Sequence, residues 1–173
     1  MAEITPGVKA ISDGELQLVV FKIGVEEFGV EIMKVQEIIR MTNITRIPQA
    51  PDYIRGIINL RGKIIVVINL NVVLGMETKE QDENTRIIVA NIDDTVMGFV
   101  VDSVSEVIRL PQKSVEPAPA VIADKIGTEY VMGVGNLDNR LLILLNLNKI
   151  LGAKELHSVR SISTDAAEEA ATT

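Results

Sequence analysis

The sequence contains no cysteine and a single histidine, His157, which lies in a C-terminal tail with few apolar residues. The absence of cysteine excludes disulfide bonds and thiolate metal sites. Together the two shortages remove most arrangements of a nucleophile and a general base. We therefore expect a protein with no catalytic residues, no metal site and no bound cofactor.

Aromatic residues are scarce as well, since Phe and Tyr together number five and tryptophan is absent. With 47% hydrophobic residues, the chain nevertheless has ample apolar material for a core. That core must be built from Val, Ile and Leu, and the abundance of β-branched residues favours strands over helices.

Long apolar runs are missing, and none reaches the roughly 18 residues of a membrane span. The run at 64–68, for example, is bracketed by Lys63 and Asn69. The first 14 residues lack the basic start and apolar stretch of a secretory signal. We expect a soluble, cytoplasmic protein with no insertion into the membrane.

The net charge of −7 does not indicate a charged partner, because it lies outside the main body of the chain. Residues 1–15 contribute −2, residues 76–84 contribute −3 and residues 153–173 contribute −2. The remainder is neutral and has no concentrated basic face of the kind that nucleic-acid binding needs. Nucleic acid is therefore not an expected partner.

The chain contains an internal duplication. Residues 53–75 align without a gap with residues 130–152, and nine of these 23 positions are identical. Upstream, residues 29–40 match residues 98–109, so the second copy carries eight extra residues between Arg109 and Tyr130. Residues that both copies share are expected to serve the fold, and residues that only one copy has are candidates for function.

Each copy has the pattern of a small β-structure. Alternating apolar residues around short turns predict hairpins near residues 16–32, 57–68, 87–101 and 134–145. The continuous apolar runs in the second hairpin of each copy predict strands buried on both faces. Asn69 and Asn146 each precede an apolar helical turn and are expected to cap it.

These elements predict an all-β protein of two five-stranded barrels on a shared aliphatic core, with short helical turns. The body is residues 16–152, with lobes at roughly 16–75 and 85–152, and an exchange of strands between the lobes stays open. Residues 1–15 are expected to be a flexible arm, and residues 153–173 a frayed or disordered tail.

Among polar residues, Arg61 stands out because it occupies a predicted hairpin tip where the second copy has ordinary turn residues, 138–139. An arginine there can bind a partner, although holding a surface carboxylate of its own chain is the commoner use. Glu37 recurs as Glu106, so structural and binding roles are equally open for it. Asp93 and Asp94 look like a carboxylate pair, but their position predicts a solvated turn.

The residues VQEI at 35–38, YIRGIINLRG at 53–62 and PAP at 117–119 closely resemble the CheW family of chemotaxis coupling proteins. The resemblance covers about residues 16–152. The chain resembles the free-standing adaptor more closely than the related domains of CheA and CheV, because kinase segments and a receiver domain are absent. Val66 and Asn69 depart from the proline and aspartate that are common in the family.

The resemblance implies two SH3-like barrels without an active site that link methyl-accepting chemotaxis receptors to the regulatory domain of the histidine kinase CheA. The complex would lie in receptor arrays on the inner face of the membrane. Carried over position by position, the receptor-binding residues are Val35, Glu37, Gly56, Arg61 and Ile87. Ala120 and Val121 in the lengthened loop would contact the kinase.

Other functions remain open from the sequence. A divergent CheW-like protein could serve a different motility or sensory array. A barrel that binds a small ligand as a sensor would need a cavity, and few aromatic residues are present to line one. A hydrolase would have to work without cysteine or a well-placed histidine.

Overall fold

The computed structural model describes residues 14–77, 79–126 and 128–172, and β-strands dominate it. The strands are β1 (Glu15–Ile23), β2 (Glu26–Glu31), β3 (Val35–Arg40), β4 (Ile54–Leu60), β5 (Lys63–Asn69), β6 (Arg86–Ile92), β7 (Thr95–Val101), β8 (Ser103–Pro111), β9 (Val115–Glu116), β10 (Val131–Leu137) and β11 (Arg140–Leu145). The helices are α1 (Leu70–Val73), α2 (Ala120–Ile126), α3 (Leu147–Ile150) and α4 (Ala153–Thr172), with short 3-10 turns at Ile32–Lys34, Gln112–Ser114 and Thr128–Tyr130.

The strands form two sheets, each of which belongs to one SH3-like barrel, so the predicted pair of barrels is confirmed. Five strands per barrel is right for one sheet only, because the two-residue strand β9 gives the other sheet six. Barrel A has the strand order β8-β1-β2-β11-β10-β9, and barrel B has the order β3-β6-β7-β5-β4. Neighbouring strands are antiparallel except where β2 meets β11 and β5 meets β7, which pair in parallel.

The two copies of the duplication exchange their first hairpins. The β1–β2 hairpin of the first copy lies in barrel A beside strands of the second copy, and the β6–β7 hairpin of the second copy lies in barrel B. The two copies therefore pair with each other through β1–β8 and β2–β11 in barrel A and through β3–β6 and β5–β7 in barrel B. Neither copy therefore contains all the strands of one barrel.

Buried aliphatic side chains form one core inside each barrel and a third, larger core between the barrels. Strand β5 contributes to two of them, because Ile65 and Val67 pack inside barrel B while Val66 and Ile68 pack between the barrels. The prediction that this strand is buried on both faces is confirmed. Its counterpart β11 behaves alike, with Leu142 and Leu144 inside barrel A and Ile143 between the barrels.

Two predicted hairpin tips have the backbone geometry of tight turns. Arg61 and Gly62 have φ angles of 54° and 89°, and Asp93 and Asp94 have φ angles of 50° and 67°. Positive φ at both central residues is the geometry of a type I′ turn, whose twist matches that of the flanking strands. Asp93 and Asp94 are therefore turn residues, although their turn is held by other elements of the chain.

The predicted asparagine caps are right in one copy only. The side chain of Asn146 accepts a hydrogen bond of 3.0 Å from the backbone N–H of Asn148 and so caps α3. Asn69 makes no such bond to α1. Its side chain instead bonds the guanidinium of Arg55 and the carbonyl of Asp52, each at 3.3 Å, because the preceding loop lies against it.

The prediction of a frayed or disordered tail is wrong for the part that the structure describes, where residues 153–172 form helix α4. Leu156, Val159 and Ile162 recur every third position, so they lie along one side of the helix and pack against the core between the barrels. Val159 is fully buried. The predicted arm also needs correction at its end, because Glu15 already belongs to β1, and residues 1–13 lie outside the described part.

Candidate functional site

An ion pair between Glu37 and Arg61 joins the two edges of barrel B. Glu37 lies on the edge strand β3, and Arg61 lies at the tip of the hairpin between β4 and β5, at the other edge. The guanidinium bonds both carboxylate oxygens, through Nη2 to Oε2 and through Nη1 to Oε1 at 3.3 Å. The hydrogen bonds that Arg61 donates to Glu37 raise the pKa of the arginine. The pair remains open to a partner, since the arginine side chain is 69% exposed.

The turn itself fixes where Arg61 points. The side-chain oxygen of Asn59 accepts a hydrogen bond of 2.8 Å from the backbone N–H of Gly62. This bond closes the turn and holds Arg61 at a positive φ, a conformation that non-glycine residues seldom adopt. The arginine is thus presented by a rigid hairpin rather than by a loop.

Val35 lies on the same edge strand and faces the other barrel. Strand β3 has a bulge at this point, because Val35 pairs with Ala90 while Glu37 pairs with the adjacent Val89. The bulge places Val35 against the core between the barrels. Ile38 is 37% exposed on the same strand. We call Val35, Glu37, Ile38 and Arg61 the β3 edge surface.

Gly56 is buried, so its predicted place on the binding surface is corrected to a backbone role. Its φ is 151°, and a Cβ at this position would lie 2.3 Å from the Thr45 carbonyl oxygen. Thr45 pairs with Ile57 through two backbone hydrogen bonds of 2.9 Å. Gly56 therefore allows the loop between β3 and β4 to lie directly on β4.

Ile87 is also misassigned as a contact residue, because its side chain is fully buried inside barrel B. A Cβ at Gly98 would meet its Cγ2 at 2.7 Å, so the neighbouring backbone packs directly against it. Ile87 can support the β3 edge surface from within, since its strand β6 pairs with β3. It cannot touch a partner in this structure.

Replacing Ile87 by a smaller residue tests whether it packs behind the β3 edge surface or contacts a partner directly. We expect Ile87→Val to lower the free energy of unfolding by about 0.5–1.5 kcal/mol, because one buried methylene is removed. Partner binding should be unchanged at temperatures where the variant is folded. Urea unfolding and a binding assay on the same sample test both statements, and impaired binding by a fully folded variant would contradict the burial argument.

The second copy has a similar ion pair that the sequence comparison missed. Arg140 Nη2 lies 2.7 Å from Glu106 Oε2, and Arg140 Nε lies 3.0 Å from Glu27 Oε1. Arg140 corresponds to Lys63 rather than to Arg61, so the aligned hairpin tips alone do not reveal it. The sequence did contain a signal for this ion pair, because the aligned positions 63 and 140 both carry a positively charged residue. An arginine that joins the hairpin to the third strand is thus common to both copies, while an arginine at the tip belongs to barrel B.

The family model of the CheW-like domain matches residues 17–155 of this chain. The chain belongs to the CheW-like family. It is 41% identical to the chemotaxis protein CheW of Klebsiella aerogenes over 147 residues. The aligned region covers 85% of this chain and 88% of that protein. It is 33% identical to the chemotaxis protein CheW of Helicobacter pylori, over 86% of this chain and 90% of that protein.

A crystal structure in the same family agrees with this fold. The scaffolding protein TtCheW from Thermoanaerobacter tengcongensis superposes with a TM-score of 0.74 at 37% sequence identity. The similarity covers 81% of this chain and 96% of that one. The two SH3-like barrels of this chain are therefore those of a CheW-like protein.

In this CheW-like chain, the lengthened loop of the second copy forms helix α2, which is anchored at one end. Ile126 is buried in the core between the barrels, and Ile122 packs against that core. Ala120 and Val121 are exposed, Val121 to 71%. The apolar residues of the loop thus dock partly on the protein itself and leave one valine facing outward.

A cavity of about 360 Å³ lies between the barrels of the CheW-like domain and is lined by both duplicated tyrosines, Tyr53 and Tyr130. Burial raises the pKa of each phenol, and the carboxylate of Glu155 raises both further. A second cavity of about 770 Å³ is lined mainly by the loop at 41–52, with Arg46 and Arg55 on its wall. Neither cavity is lined by the residues that form the core inside a barrel.

Among the described residues there is no cluster of three or more His, Asp or Glu side chains that could hold a metal ion. In residues 14–77, 79–126 and 128–172 no helix is both long and apolar enough to cross a membrane.

Proposed function

We propose that this protein is a non-catalytic chemotaxis adaptor that links chemoreceptor tips to the histidine kinase CheA and couples receptor state to kinase activity. The family match over residues 17–155 is the observation that carries the proposal. The relatives from Klebsiella aerogenes and Helicobacter pylori are chemotaxis proteins of nearly the same length as this chain. The adaptor would act in the cytoplasm, at receptor arrays on the inner face of the membrane.

The β3 edge surface is the proposed receptor site. Ile38 and the partly buried Val35 supply apolar area on the side of the second barrel, and Arg61 and Glu37 supply charges of both signs beside it. An amphipathic helix that lays its apolar side in a groove is recognised by such a combination, with the charges fixing its register. The helical hairpin at a receptor's cytoplasmic tip has that character.

The exposed end of α2 is the proposed kinase site. Ala120 and Val121 project from a helix whose other end is fixed in the core between the barrels, so the apolar contact is held in place. A CheW-like barrel in the regulatory domain of CheA would present a partner surface of similar size. The two proposed sites are on different elements, as an adaptor requires.

A charge placed on α2 should weaken binding at the proposed kinase site and leave the proposed receptor site intact. We expect Val121→Asp to weaken binding to CheA about tenfold or more, because the carboxylate would be buried without a partner at the contact. Receptor binding should stay within about twofold of the wild type. Isothermal titration with the isolated regulatory domain measures the first effect, and Lys113→Asp is the matched surface control. Unchanged kinase affinity would remove α2 from the interface.

The proposed function is tested by sedimentation of the protein with receptor-containing membranes and CheA, followed by measurement of kinase autophosphorylation. An adaptor should appear in the pellet only with the receptor or the ternary complex and should change kinase activity there. A protein that binds neither partner would contradict the proposal and would point to another motility or sensory array.

A further inference from the structure

Helix α4 has no counterpart in the first copy. After Gly75 the first copy continues into the acidic segment at 76–84, whereas after Gly152 the second copy continues into a 20-residue helix. The duplicated body therefore does not require this helix in both halves. An element present in one half alone is a candidate for a role beyond folding.

The helix runs from one barrel to the other. It follows β11 and α3 of barrel A, yet it packs on β5 of barrel B and buries Val159 in the core between the barrels. Ser158 hydrogen-bonds Tyr53, which precedes β4 of barrel B. Glu155 in the first turn acts on the pKa of both duplicated tyrosines, so this turn lies between the equivalent parts of the two copies.

Arg160 of α4 forms hydrogen bonds with the tip of the β6–β7 hairpin in barrel B. Its Nε lies 2.7 Å from the Thr95 hydroxyl oxygen, and its Nη2 donates to the Asp93 carbonyl oxygen at 2.6 Å. From α3, the Asn148 side chain donates to the Asp93 carboxylate at 3.2 Å. Three hydrogen bonds from the end of the second copy thus hold one hairpin tip.

The corresponding tip of the β1–β2 hairpin in barrel A is held differently in the described part of the chain. Val25 at that tip is 91% exposed. Its neighbour Gly24 donates a backbone hydrogen bond of 2.7 Å to the Asp102 carboxylate, which belongs to the connection between β7 and β8. Among the described residues, the hydrogen bonds of Arg160 therefore go to the tip in barrel B, and the tip in barrel A is bonded by Asp102.

We propose that α4 is a strap that fixes the orientation of barrel B relative to barrel A, with Arg160 as its positioning residue. The strap connects the barrels through a hairpin that pairs with β3, so the position of the β3 edge surface depends on it. The effect on receptor binding rests on the proposed function, whereas the effect on orientation does not. Loosening the strap would reduce the fraction of molecules in the binding-competent arrangement.

The orientation can be measured directly, because a chain without cysteine accepts specific spin labels. Gln17→Cys on β1 and Lys63→Cys on β5 are exposed positions in barrels A and B. In the full-length protein we expect one narrow distance distribution by pulsed electron paramagnetic resonance. Arg160→Ala should broaden it, and Lys154→Ala, which removes the same charge from an exposed position of α4, should leave it unchanged.

Receptor affinity is the second readout. The apparent dissociation constant of Arg160→Ala should rise roughly threefold to tenfold, since only the competent fraction binds. Arg160→Lys should restore part of the loss, because an ammonium group can reach one of the two acceptors.

Each outcome has one meaning. A distribution for Arg160→Ala as narrow as that of Lys154→Ala would overturn the strap. Broadening with unchanged receptor affinity would overturn its link to binding. If the wild-type protein fails to bind receptors, the proposed function fails, and the distance measurement still decides whether the strap exists.

Discussion

Gly56→Ala is expected to destabilise the protein by about 3 kcal/mol or more, because both the space and the backbone conformation at this position exclude a side chain. A Cβ would lie 2.3 Å from the Thr45 carbonyl oxygen and 2.7 Å from Ile44 Cγ2. Carbonyl atoms of a paired backbone cannot move aside as a flexible side chain does. The φ of 151° adds strain, since L residues rarely adopt it. Relief would require the loop at 41–53 to leave β4.

Equilibrium unfolding in urea measures this loss, and Gly62→Ala is the matched control. Gly62 also has a positive φ, at 89°, but nothing lies within 4 Å of its Cβ position. Its replacement should therefore cost only the conformational strain, about 1 kcal/mol. Equal losses in the two variants would show that close contact with Thr45 is not what requires glycine. If Gly56→Ala also loses receptor binding, we attribute that loss to misfolding, because Gly56 is buried.

Much of the fold follows from the duplication. Gly56 aligns with Gly133, and both positions are blocked by a backbone carbonyl, of Thr45 in one copy and of Glu116 in the other. An identical glycine in both copies was therefore a sound sign of a structural constraint. The exchange of first hairpins could not be derived in this way, because exchanged and unexchanged barrels bury the same apolar strands. Only the strand pairs between the copies distinguish them, namely β1–β8 and β2–β11 in barrel A and β3–β6 and β5–β7 in barrel B.

The tail was misread because its apolar residues are few in number. Leu156, Val159 and Ile162 would not support an isolated helix. The sequence alone does not show that these three residues pack on a core between two barrels. Tertiary packing decides the matter here.

The candidate site was predictable in part. Arg61 was found because a turn does not need an arginine, and the structure places it at a hairpin tip against Glu37. Ile87 came from the resemblance alone, and a resemblance does not say whether a residue acts by contact or by support. The ion pair of Arg140 with Glu106 was missed because it is formed from a different position of the hairpin.

Reversing the charge of either Arg61 or Glu37 should strongly weaken receptor binding without unfolding the protein. In Arg61→Glu the two carboxylates would repel each other and the receptor would meet the wrong charge, so we expect receptor affinity to fall about tenfold or more. Glu37→Arg should act in the same direction. Thermal unfolding should change little, because the pair lies largely in water, where such pairs stabilise weakly.

The double variant Arg61→Glu with Glu37→Arg distinguishes an internal brace from a binding surface. It can rebuild the pair with opposite polarity, so a brace would recover its function. A surface that reads charges on the receptor would stay defective, and this is the outcome we expect in the sedimentation assay with receptor membranes. Arg140→Ala, which removes the ion pair of barrel A, should bind receptors normally and serves as the control. Full recovery of receptor binding by the double variant would show that Glu37 and Arg61 only brace the edges of barrel B.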